Sequence, residues 1–196
     1  MANRFAVVGR PILHSRSPAL FRSTLSHAGP EDQAANSYSR LAAASADEAI
    51  AVARELGLRG LNVTSPFKEA MAARMDDLDD EARAIGAVNT VLIGKRLQGY
   101  NTDSQGVAGA FEAHAVCLSG STVAIFGTGG AGRAAALGAV RAGAERVVLI
   151  GRDAARARQV AERLEPRAAR TAPRSGREDS QSRKPRDRLV TGSALT

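Results

Sequence analysis

Val123-Ala-Ile-Phe-Gly-Thr-Gly-Gly-Ala-Gly-Arg133 is the stretch that decides the fold of this chain. Its first four residues, 123–126, are apolar and predict a short buried strand, and the alanine-rich run 134–142 predicts a helix. Between them Gly127–Gly132 matches the pattern G-x-G-x-x-G, and a further apolar strand is predicted at 146–150. Strand, glycine turn, helix and strand together predict one βαβ unit.

The glycines of this turn have separate roles in dinucleotide binding. Gly127 permits a tight turn, Gly129 lets the backbone approach a pyrophosphate, and Gly132 lets helix and strand pack closely. The N-terminus of the following helix offers N–H groups and a positive dipole to phosphates. We therefore predict that these glycines, with Gly130 and Ala131, bind a dinucleotide. A purely structural glycine turn is the alternative.

Composition narrows the class of protein. The 196 residues include one cysteine, which excludes an intrachain disulfide and fits a reducing compartment. The N-terminal apolar run is too short for a signal peptide, so we expect a cytoplasmic protein with no membrane partner. We also expect no metal site. Most of the net charge of +7 lies in residues 166–196, which contain eight Lys/Arg and three Asp/Glu. No aromatic residue lies among the basic residues of this segment. We therefore expect no nucleic-acid partner.

The pattern along the chain predicts an α/β protein with mainly parallel pairing, because strand and helix patterns alternate from residue 5 onward. We expect an N-terminal α/β substrate domain followed by a partial Rossmann-like nucleotide-binding domain whose sheet has two strands. After residue 166 the apolar periodicity disappears, which predicts disorder. The predicted segments are a substrate-binding domain at 1–103, a connecting helix and linker at 104–118, the nucleotide domain at 119–165 and a basic tail at 166–196.

Three polar clusters stand where predicted strands end, and ligands of open α/β sheets bind beyond such ends. They are His14-Ser15-Arg-Ser17-Pro18, Asn62-Val-Thr64-Ser-Pro-Phe-Lys68, and Asn89-Thr90 with Asn101-Thr102-Asp103. Their hydroxyl and amide groups suit a polyhydroxylated ligand, and Lys68 with Asp103 could transfer a proton. Each residue also has a purely structural interpretation: Ser17 and Asp103 as helix caps, and Lys68 as a solvated side chain.

In chain order, Pro-Ile-Leu-His-Ser-Arg-Ser-Pro, Asn-Val-Thr-Ser-Pro-Phe-Lys, Gly-Ala-Val-Asn-Thr and Tyr-Asn-Thr-Asp precede the glycine turn. From residue 4 to about 165 this set resembles the shikimate dehydrogenase family. The resemblance implies interconversion of the small molecules 3-dehydroshikimate and shikimate with NADP, in aromatic amino-acid biosynthesis.

The resemblance also implies a role for individual residues. Ser15 and Ser17 would bind the substrate carboxylate. Ring hydroxyls would be bound by three side chains, those of Thr64, Asn89 and Asp103. Lys68 would donate and accept the proton at the reacting oxygen, with Asp103 beside it.

For the cofactor, the resemblance implies that Arg152 and Arg156 clamp the adenosine 2′-phosphate of NADP. Gly151 and Asp153 depart from the family pattern, and a carboxylate at 153 would repel a 2′-phosphate, so NAD use stays open. Phe21-Arg22 also departs from the family, in which a His-Asn pair is frequent.

Beyond residue 165 the family resemblance ends, which suggests a C-terminally truncated or frame-shifted version. We therefore expect a weakly stable second domain that tends to associate, and a homodimer stays open. Three alternatives to the full activity remain: an inactive remnant with weak ligand binding, a quinate/shikimate dehydrogenase using NAD, and nucleic-acid binding through the basic tail.

Overall fold

The computed structural model describes residues 3–171 and 189–193. The chain divides into two compact units, 1–101 and 102–196. Each unit has its own parallel-dominated sheet with helices, which confirms the predicted α/β class. Among the described residues, no helix has the length and apolar character needed to cross a membrane.

The first unit is built on a six-stranded sheet with the strand order β2-β1-β3-β5-β6-β4. The strands are β1 (Asn3–Gly9), β2 (Asn36–Ala42), β3 (Gly60–Val63), β4 (Asp77–Leu78), β5 (Thr90–Ile93) and β6 (Leu97–Tyr100). The helices are α1 (Ser17–Leu25), α2 (Pro30–Ala35), α3 (Ala46–Glu55), α4 (Lys68–Ala72) and α5 (Asp80–Ile85). Three strand pairs are parallel, and β5 and β6 form an antiparallel hairpin.

Strand direction brings several chain segments to one edge of this sheet. β1 runs parallel to β2 and β3, so their carboxyl ends lie together. β5 is antiparallel to both neighbours, with Thr90 paired to Asn62 on one side and to Tyr100 on the other. The start of β5 and the end of β6 therefore lie at the same edge as the end of β3.

The core of the first unit lies under the middle of the sheet. Leu61 of β3, Val8 of β1 and Val91 of β5 are at most 2% exposed, and Met71 of α4 is fully buried against them. Small residues such as Ala49 let α3 pack closely. The buried apolar area, at roughly 25 cal/mol per Å², is the main favourable term for this unit.

The second unit contains the predicted βαβ unit and one further strand. Its elements are α6 (Asp103–Ala113), β7 (Thr122–Phe126), α7 (Gly130–Arg141), β8 (Arg146–Gly151), α8 (Ala154–Thr171) and β9 (Leu189–Ser193). The three strands are parallel in the order β7-β8-β9. The prediction of two strands is therefore wrong, because β9 adds to the free side of β8.

The predicted disordered tail also needs correction. α8 continues beyond residue 165 to Thr171, and β9 occupies Leu189–Ser193. Residues 172–188 and 194–196 lie outside the described residues. The predicted linker 104–118 lies within the second unit, where most of it forms α6.

Burial is uneven across the second unit. Leu137 of α7 and Leu149 of β8 are fully buried, and α6 approaches α7 closely at Gly138, where a Cβ atom would lie 2.7 Å from the Ser104 carbonyl oxygen. The residues of β7 alternate between exposed and half-buried, and Phe126 is 80% exposed. β7 is the end strand of the described sheet, and it is covered far less than β8.

The starts of α1 and α6 differ from the helix caps suggested by the sequence. Ser17 is the first residue of α1 and Arg16 takes the cap position, so the predicted Ser17 cap is wrong. α4 begins at Lys68, because the Phe67 N–H donates to the Thr64 carbonyl and closes a turn before the helix. Asp103 is likewise the first residue of α6, after the cap residue Thr102. α2 and β4 were not predicted from the sequence.

Candidate functional site

The shared edge of the first sheet carries the backbone that holds the polar clusters. The Thr64 N–H donates to the Val8 carbonyl oxygen at 2.9 Å, which ties the end of β3 to the end of β1. The Val63 N–H donates to the Asn89 carbonyl at 2.7 Å. Gly9 allows Thr64 to sit here, because a Cβ at position 9 would lie 2.5 Å from the Thr64 methyl carbon.

The serine cluster lies in the loop after β1 and is held by β2. The Ser15 hydroxyl donates to Ser17 Oγ at 3.2 Å, and the Ser17 N–H donates to Ser15 Oγ at 3.3 Å. The Arg40 guanidinium donates to the Ser15 carbonyl through Nε at 3.0 Å and Nη2 at 2.6 Å. The Ser17 hydroxyl lies close enough to the Tyr38 hydroxyl to lower the pKa of Tyr38 by hydrogen bonding. Tyr38 and Arg40 are two residues apart on β2 and therefore share one face of the strand.

Hydrogen bonds continue from Tyr38 across the sheet to the third polar cluster. The Tyr38 hydroxyl donates to Asn62 Oδ1 at 2.6 Å, and Asn62 Nδ2 donates to Thr90 Oγ1 at 3.3 Å. The Thr90 hydroxyl donates to Asn89 Oδ1 at 3.0 Å. Two hydrogen-bonded groups, Ser15–Ser17 and Tyr38–Asn62–Thr90–Asn89, thus meet at the contact between Ser17 and Tyr38. We call these six residues the polar relay.

Aromatic packing fixes the middle of the polar relay. The ring of Phe21 lies 4.6 Å from that of Tyr38, and the ring of Phe5 lies 5.9 Å from Phe21. Burial raises the pKa of the Tyr38 hydroxyl to about 12, and its hydrogen bond with Ser17 partly opposes that shift. Tyr38 is therefore neutral at physiological pH and available as both donor and acceptor.

Lys68 stands at the same edge, as the partly buried first residue of α4. Its carbonyl accepts the Val88 N–H at 2.9 Å, which joins α4 to the segment that carries Asn89. The first unit therefore brings Ser15, Ser17, Thr64, Lys68 and Asn89 to one edge. Asp103 begins α6 in the second unit, so its pairing with Lys68 stays a prediction.

The glycine turn of the second unit has the geometry that a dinucleotide requires. Gly127 adopts a left-handed φ of +112°, which disfavours any side chain. Gly129 is the cap residue of α7, so the first N–H groups of a twelve-residue helix follow it directly. A Cβ atom at Gly132 would collide with the Gly127 carbonyl oxygen. This cradle fits a pyrophosphate.

A cavity of about 510 Å³ opens beside the glycine turn, at the carboxyl ends of β7 and β8. Arg152 and Arg156 line it together with Thr128 and the exposed Phe126. Asp153 Oδ1 accepts the Arg156 N–H at 3.0 Å and so caps α8. Within residues 3–171 and 189–193, no group of three or more His, Cys, Asp or Glu residues could hold a metal ion.

Sequence reasoning missed the roles of Tyr38, Asn62 and Thr90 in the polar relay. Asn62 and Thr90 stood inside the quoted motifs, but nothing marked them as partners of one another. For Tyr38 and Arg40 the sequence offers one signal: they are two residues apart on a predicted strand, which places them on the same face of that strand. Only the register of β2 against β1 shows that this face meets the serine loop.

Two family models match the chain, one in each unit. Residues 7–91 match the shikimate dehydrogenase substrate binding domain. Residues 122–178 match the family described as NADP oxidoreductase coenzyme F420-dependent. The order of these matches agrees with the predicted substrate domain followed by a nucleotide domain.

Individual proteins give the same result. The NADP(+) shikimate dehydrogenase of Symbiobacterium thermophilum is 40% identical over 152 residues, which are 77% of this chain and 51% of that protein. Shikimate 5-dehydrogenase of Thermus thermophilus, in complex with NADP(H) and shikimate, is 39% identical with a TM-score of 0.72. That match covers 83% of this chain and 60% of the other.

A third likeness is to the quinate dehydrogenase of Corynebacterium glutamicum in complex with NAD, at 25% identity and a TM-score of 0.77. It covers 98% of this chain and 64% of that one. The chain spans about half to two thirds of the length of the relatives that it matches. The substrate-domain match over residues 7–91 and the agreement of these relatives confirm the predicted resemblance to the shikimate dehydrogenase family.

Proposed function

We propose that this chain is a cytoplasmic oxidoreductase that reduces 3-dehydroshikimate to shikimate with NADPH, in aromatic amino-acid biosynthesis. One observation carries the proposal: hydroxyl and amide side chains joined in the polar relay lie at the sheet edge that also carries Lys68. A ligand with one carboxylate and several hydroxyls matches this set of donors and acceptors.

The substrate would be held by groups of matching chemistry. The hydroxyls of Ser15 and Ser17 are hydrogen-bonded to one another, and Arg40 holds the Ser15 carbonyl. Both hydroxyls would donate to the carboxylate. Thr64 and Asn89, on neighbouring strand ends, would bind ring hydroxyls. Asp103 would accept from a ring hydroxyl and orient the Lys68 ammonium.

Lys68 would act as the acid of the reduction. As the carbonyl carbon receives hydride, negative charge develops on its oxygen, and a positioned ammonium stabilises that charge and transfers a proton to it. In the reverse direction the neutral amine takes the proton back from the hydroxyl. The position of Lys68 is supported by its carbonyl's hydrogen bond to Val88, one residue before Asn89.

The glycine turn would hold NADP(H), which when bound supplies or accepts the hydride. Gly127, Gly129, Gly130, Ala131 and Gly132 would cradle the pyrophosphate. Arg152 and Arg156, on the wall of the neighbouring cavity, would bind the 2′-phosphate. The Asp153 carboxylate caps α8. The two guanidinium groups of Arg152 and Arg156 outnumber this single negative charge, which favours NADP despite the departure from the family pattern. NAD stays the alternative cofactor, as named for the quinate dehydrogenase relative.

The decisive experiment is shikimate-dependent reduction of NADP⁺ by the purified chain, repeated with NAD⁺. Lys68→Ala should lower kcat by about 10²- to 10⁴-fold, as expected for a general acid–base group. Lys95→Ala is the matched control, because Lys95 is an exposed lysine of the β5–β6 hairpin. Turnover of the Lys68→Ala variant equal to that of the unaltered chain would refute the assignment.

A second candidate is a protein of the same fold that binds ligand without turnover. The exposure of β7 favours it, since the nucleotide cavity lies at the end of this thinly covered strand. Shikimate binding measured by calorimetry, together with no NADP⁺ reduction, would establish this candidate. Failure to bind shikimate or NADP⁺ at millimolar concentration would reject both.

We also propose self-association as a homodimer through β7. Its outer residues are apolar or uncharged, and Phe126 at its end is 80% exposed. Such an edge can pair with a second copy of itself around a two-fold axis. Light scattering over a concentration series should show a monomer–dimer equilibrium, and a constant monomer mass would contradict it.

A further inference from the structure

We propose that Tyr38 is a positioning residue whose hydroxyl couples carboxylate binding at Ser15 and Ser17 to ring-hydroxyl binding at Asn89. This inference rests on the proposed function and extends it, because it assigns Tyr38 a role in substrate recognition. The polar relay supplies the physical connection between the two ends of the substrate.

The hydrogens of the polar relay all run in one direction. Ser15 donates to Ser17, Tyr38 donates to Asn62, and Thr90 donates to Asn89, each through its single hydroxyl hydrogen. A hydroxyl has one hydrogen and two lone pairs, so a partner that takes its hydrogen decides where its acceptor side points. The direction of any one bond therefore restricts the next.

A bound carboxylate requires the hydrogen bonds of Ser15 and Ser17 to change direction. It has acceptor atoms only, so Ser15 and Ser17 must turn their hydrogens toward it. Tyr38 can support this arrangement by donating to Ser17 Oγ. It can do so only if Asn62 turns its amide over and presents Nδ2 in place of Oδ1 to the Tyr38 oxygen.

The reversal then reaches the other end of the relay. With Asn62 turned, its oxygen accepts the Thr90 hydrogen, and Thr90 Oγ1 accepts from the Asn89 amide nitrogen. Asn89 Oδ1 is thereby released from Thr90 and faces a ligand as an acceptor for a ring hydroxyl. Carboxylate binding would thus prepare the site for a hydroxyl donor, and each of the two contacts would strengthen the other.

The ring of Tyr38 is held so that only its hydrogen changes direction. Phe21 packs against it at 4.6 Å, and Phe5 supports Phe21 from β1. Phe21 is one of the positions at which this chain departs from the family pattern. Its aromatic packing keeps the Tyr38 oxygen within reach of both Ser17 and Asn62.

The test compares Tyr38→Phe with Tyr100→Phe in the full chain. Tyr100 is the other tyrosine of the sequence, and its hydroxyl donates to Gln98 Oε1 at 3.3 Å, on a different strand from the polar relay. Calorimetry would measure the Kd of shikimate and of its methyl ester. Tyr38→Phe should weaken shikimate binding by about 3- to 10-fold, the value of one hydrogen bond, and the ester by less than about 2-fold. Tyr100→Phe should change neither Kd.

A spectroscopic readout separates coupling from a structural role. The sequence has no tryptophan, so in the Tyr100→Phe variant Tyr38 is the sole strong ultraviolet fluorophore. Shikimate should shift its absorbance and fluorescence, because the hydroxyl exchanges an amide oxygen for a serine oxygen as acceptor. The ester should produce a smaller shift.

The outcomes distinguish this inference from the proposed function. If the unaltered chain does not bind shikimate, the proposed function fails, and this inference with it. If the chain binds shikimate but Tyr38→Phe weakens shikimate and ester equally, or weakens neither, the coupling is wrong and the proposed function stands. A circular dichroism spectrum of Tyr38→Phe that matches the unaltered chain shows that the variant is folded.

Discussion

The sheets of the two units differ in how well their strands are covered. In the first unit β3 has a neighbour on each side, and Leu61 at its centre is 2% exposed. In the second unit β7 ends the described sheet, and none of its residues is fully buried. Asn62 and Thr90 of the polar relay lie on the inner strands β3 and β5, while Tyr38 lies on the edge strand β2. The glycine turn follows the poorly covered strand, so we expect ligand binding by the second unit to depend more on local stability.

The largest expected effect comes from truncating one aliphatic side chain in each of these strands. Leu61→Ala removes a fully packed side chain and should lower the free energy of unfolding of the first unit by about 2–5 kcal/mol. Ile125→Ala on β7 removes a half-buried side chain and should cost about half of that in the second unit. Denaturant unfolding with hydrogen exchange resolved to each unit would measure both. Equal costs would contradict the difference between the sheets.

A smaller effect is expected from adding one methyl group at the glycine turn. Gly132→Ala places a Cβ against the Gly127 carbonyl and should destabilise the second unit by about 1–3 kcal/mol, with loss of NADP⁺ binding. Gly106→Ala on α6 is the control, because no atom lies within 4 Å of the added group. It should stabilise the helix by about 0.5–1 kcal/mol. Calorimetric NADP⁺ titration and thermal unfolding check both variants, and unaltered NADP⁺ binding by Gly132→Ala would argue against the cradle.

Phe126→Ser tests the exposed strand β7 and is expected to change the free energy of unfolding less than the preceding variants. Because the ring is 80% exposed, the free energy of unfolding should change by no more than about 0.5 kcal/mol, while self-association should fall. Leu92→Ser is the matched substitution on β5 of the first unit, where the side chain is 45% exposed. Light scattering should show that only the β7 variant shifts toward monomer.

The effect that is smallest near neutral pH is a pH dependence of the first unit, because it develops only above pH 10. Burial raises the pKa of Tyr38 from 10.0 to about 12, so folding favours the neutral hydroxyl. The associated stabilisation is fully present below pH 10 and is lost as the pH rises through 12. In the Tyr100→Phe variant, absorbance in the near ultraviolet, where tyrosinate absorbs, should report this single ionisation. A titration midpoint at the ordinary tyrosine pKa in the folded chain would contradict the buried environment inferred for Tyr38.

The sequence was most informative where structure is decided locally. The glycine turn, the strand before it and the helix after it are contiguous in the chain, and apolar periodicity with glycine spacing is enough to predict them. The polar clusters were predictable because most of their residues lie near the end of a strand. Asn89 and Thr90 differ from that prediction, since they stand at the start of β5, which runs antiparallel to β3. α2 was missed because Pro-Glu-Asp-Gln-Ala-Ala has no apolar periodicity, and β9 because its run is short and follows an arginine-rich segment.

The polar relay could not be predicted, because it depends on contacts between residues far apart in the chain. Tyr38 and Asn62 are 24 residues apart, and Asn62 and Thr90 are 28 apart. Their meeting requires the strand order β2-β1-β3-β5 and one register for each pair. Sequence periodicity gives the face of a strand but not the partner that this face meets.

The position of β2 at the edge of its sheet affects how securely its register is held. An edge strand is held by one neighbour, and a slip of one residue would turn Tyr38 and Arg40 to the opposite face together. The serine loop would then lose its hydroxyl contact and its guanidinium anchor in a single step. The affinity for ligand therefore depends on the register of β2 against β1. We expect substitutions in β1 or α1 that shift this register to weaken ligand binding, even where they do not contact the ligand.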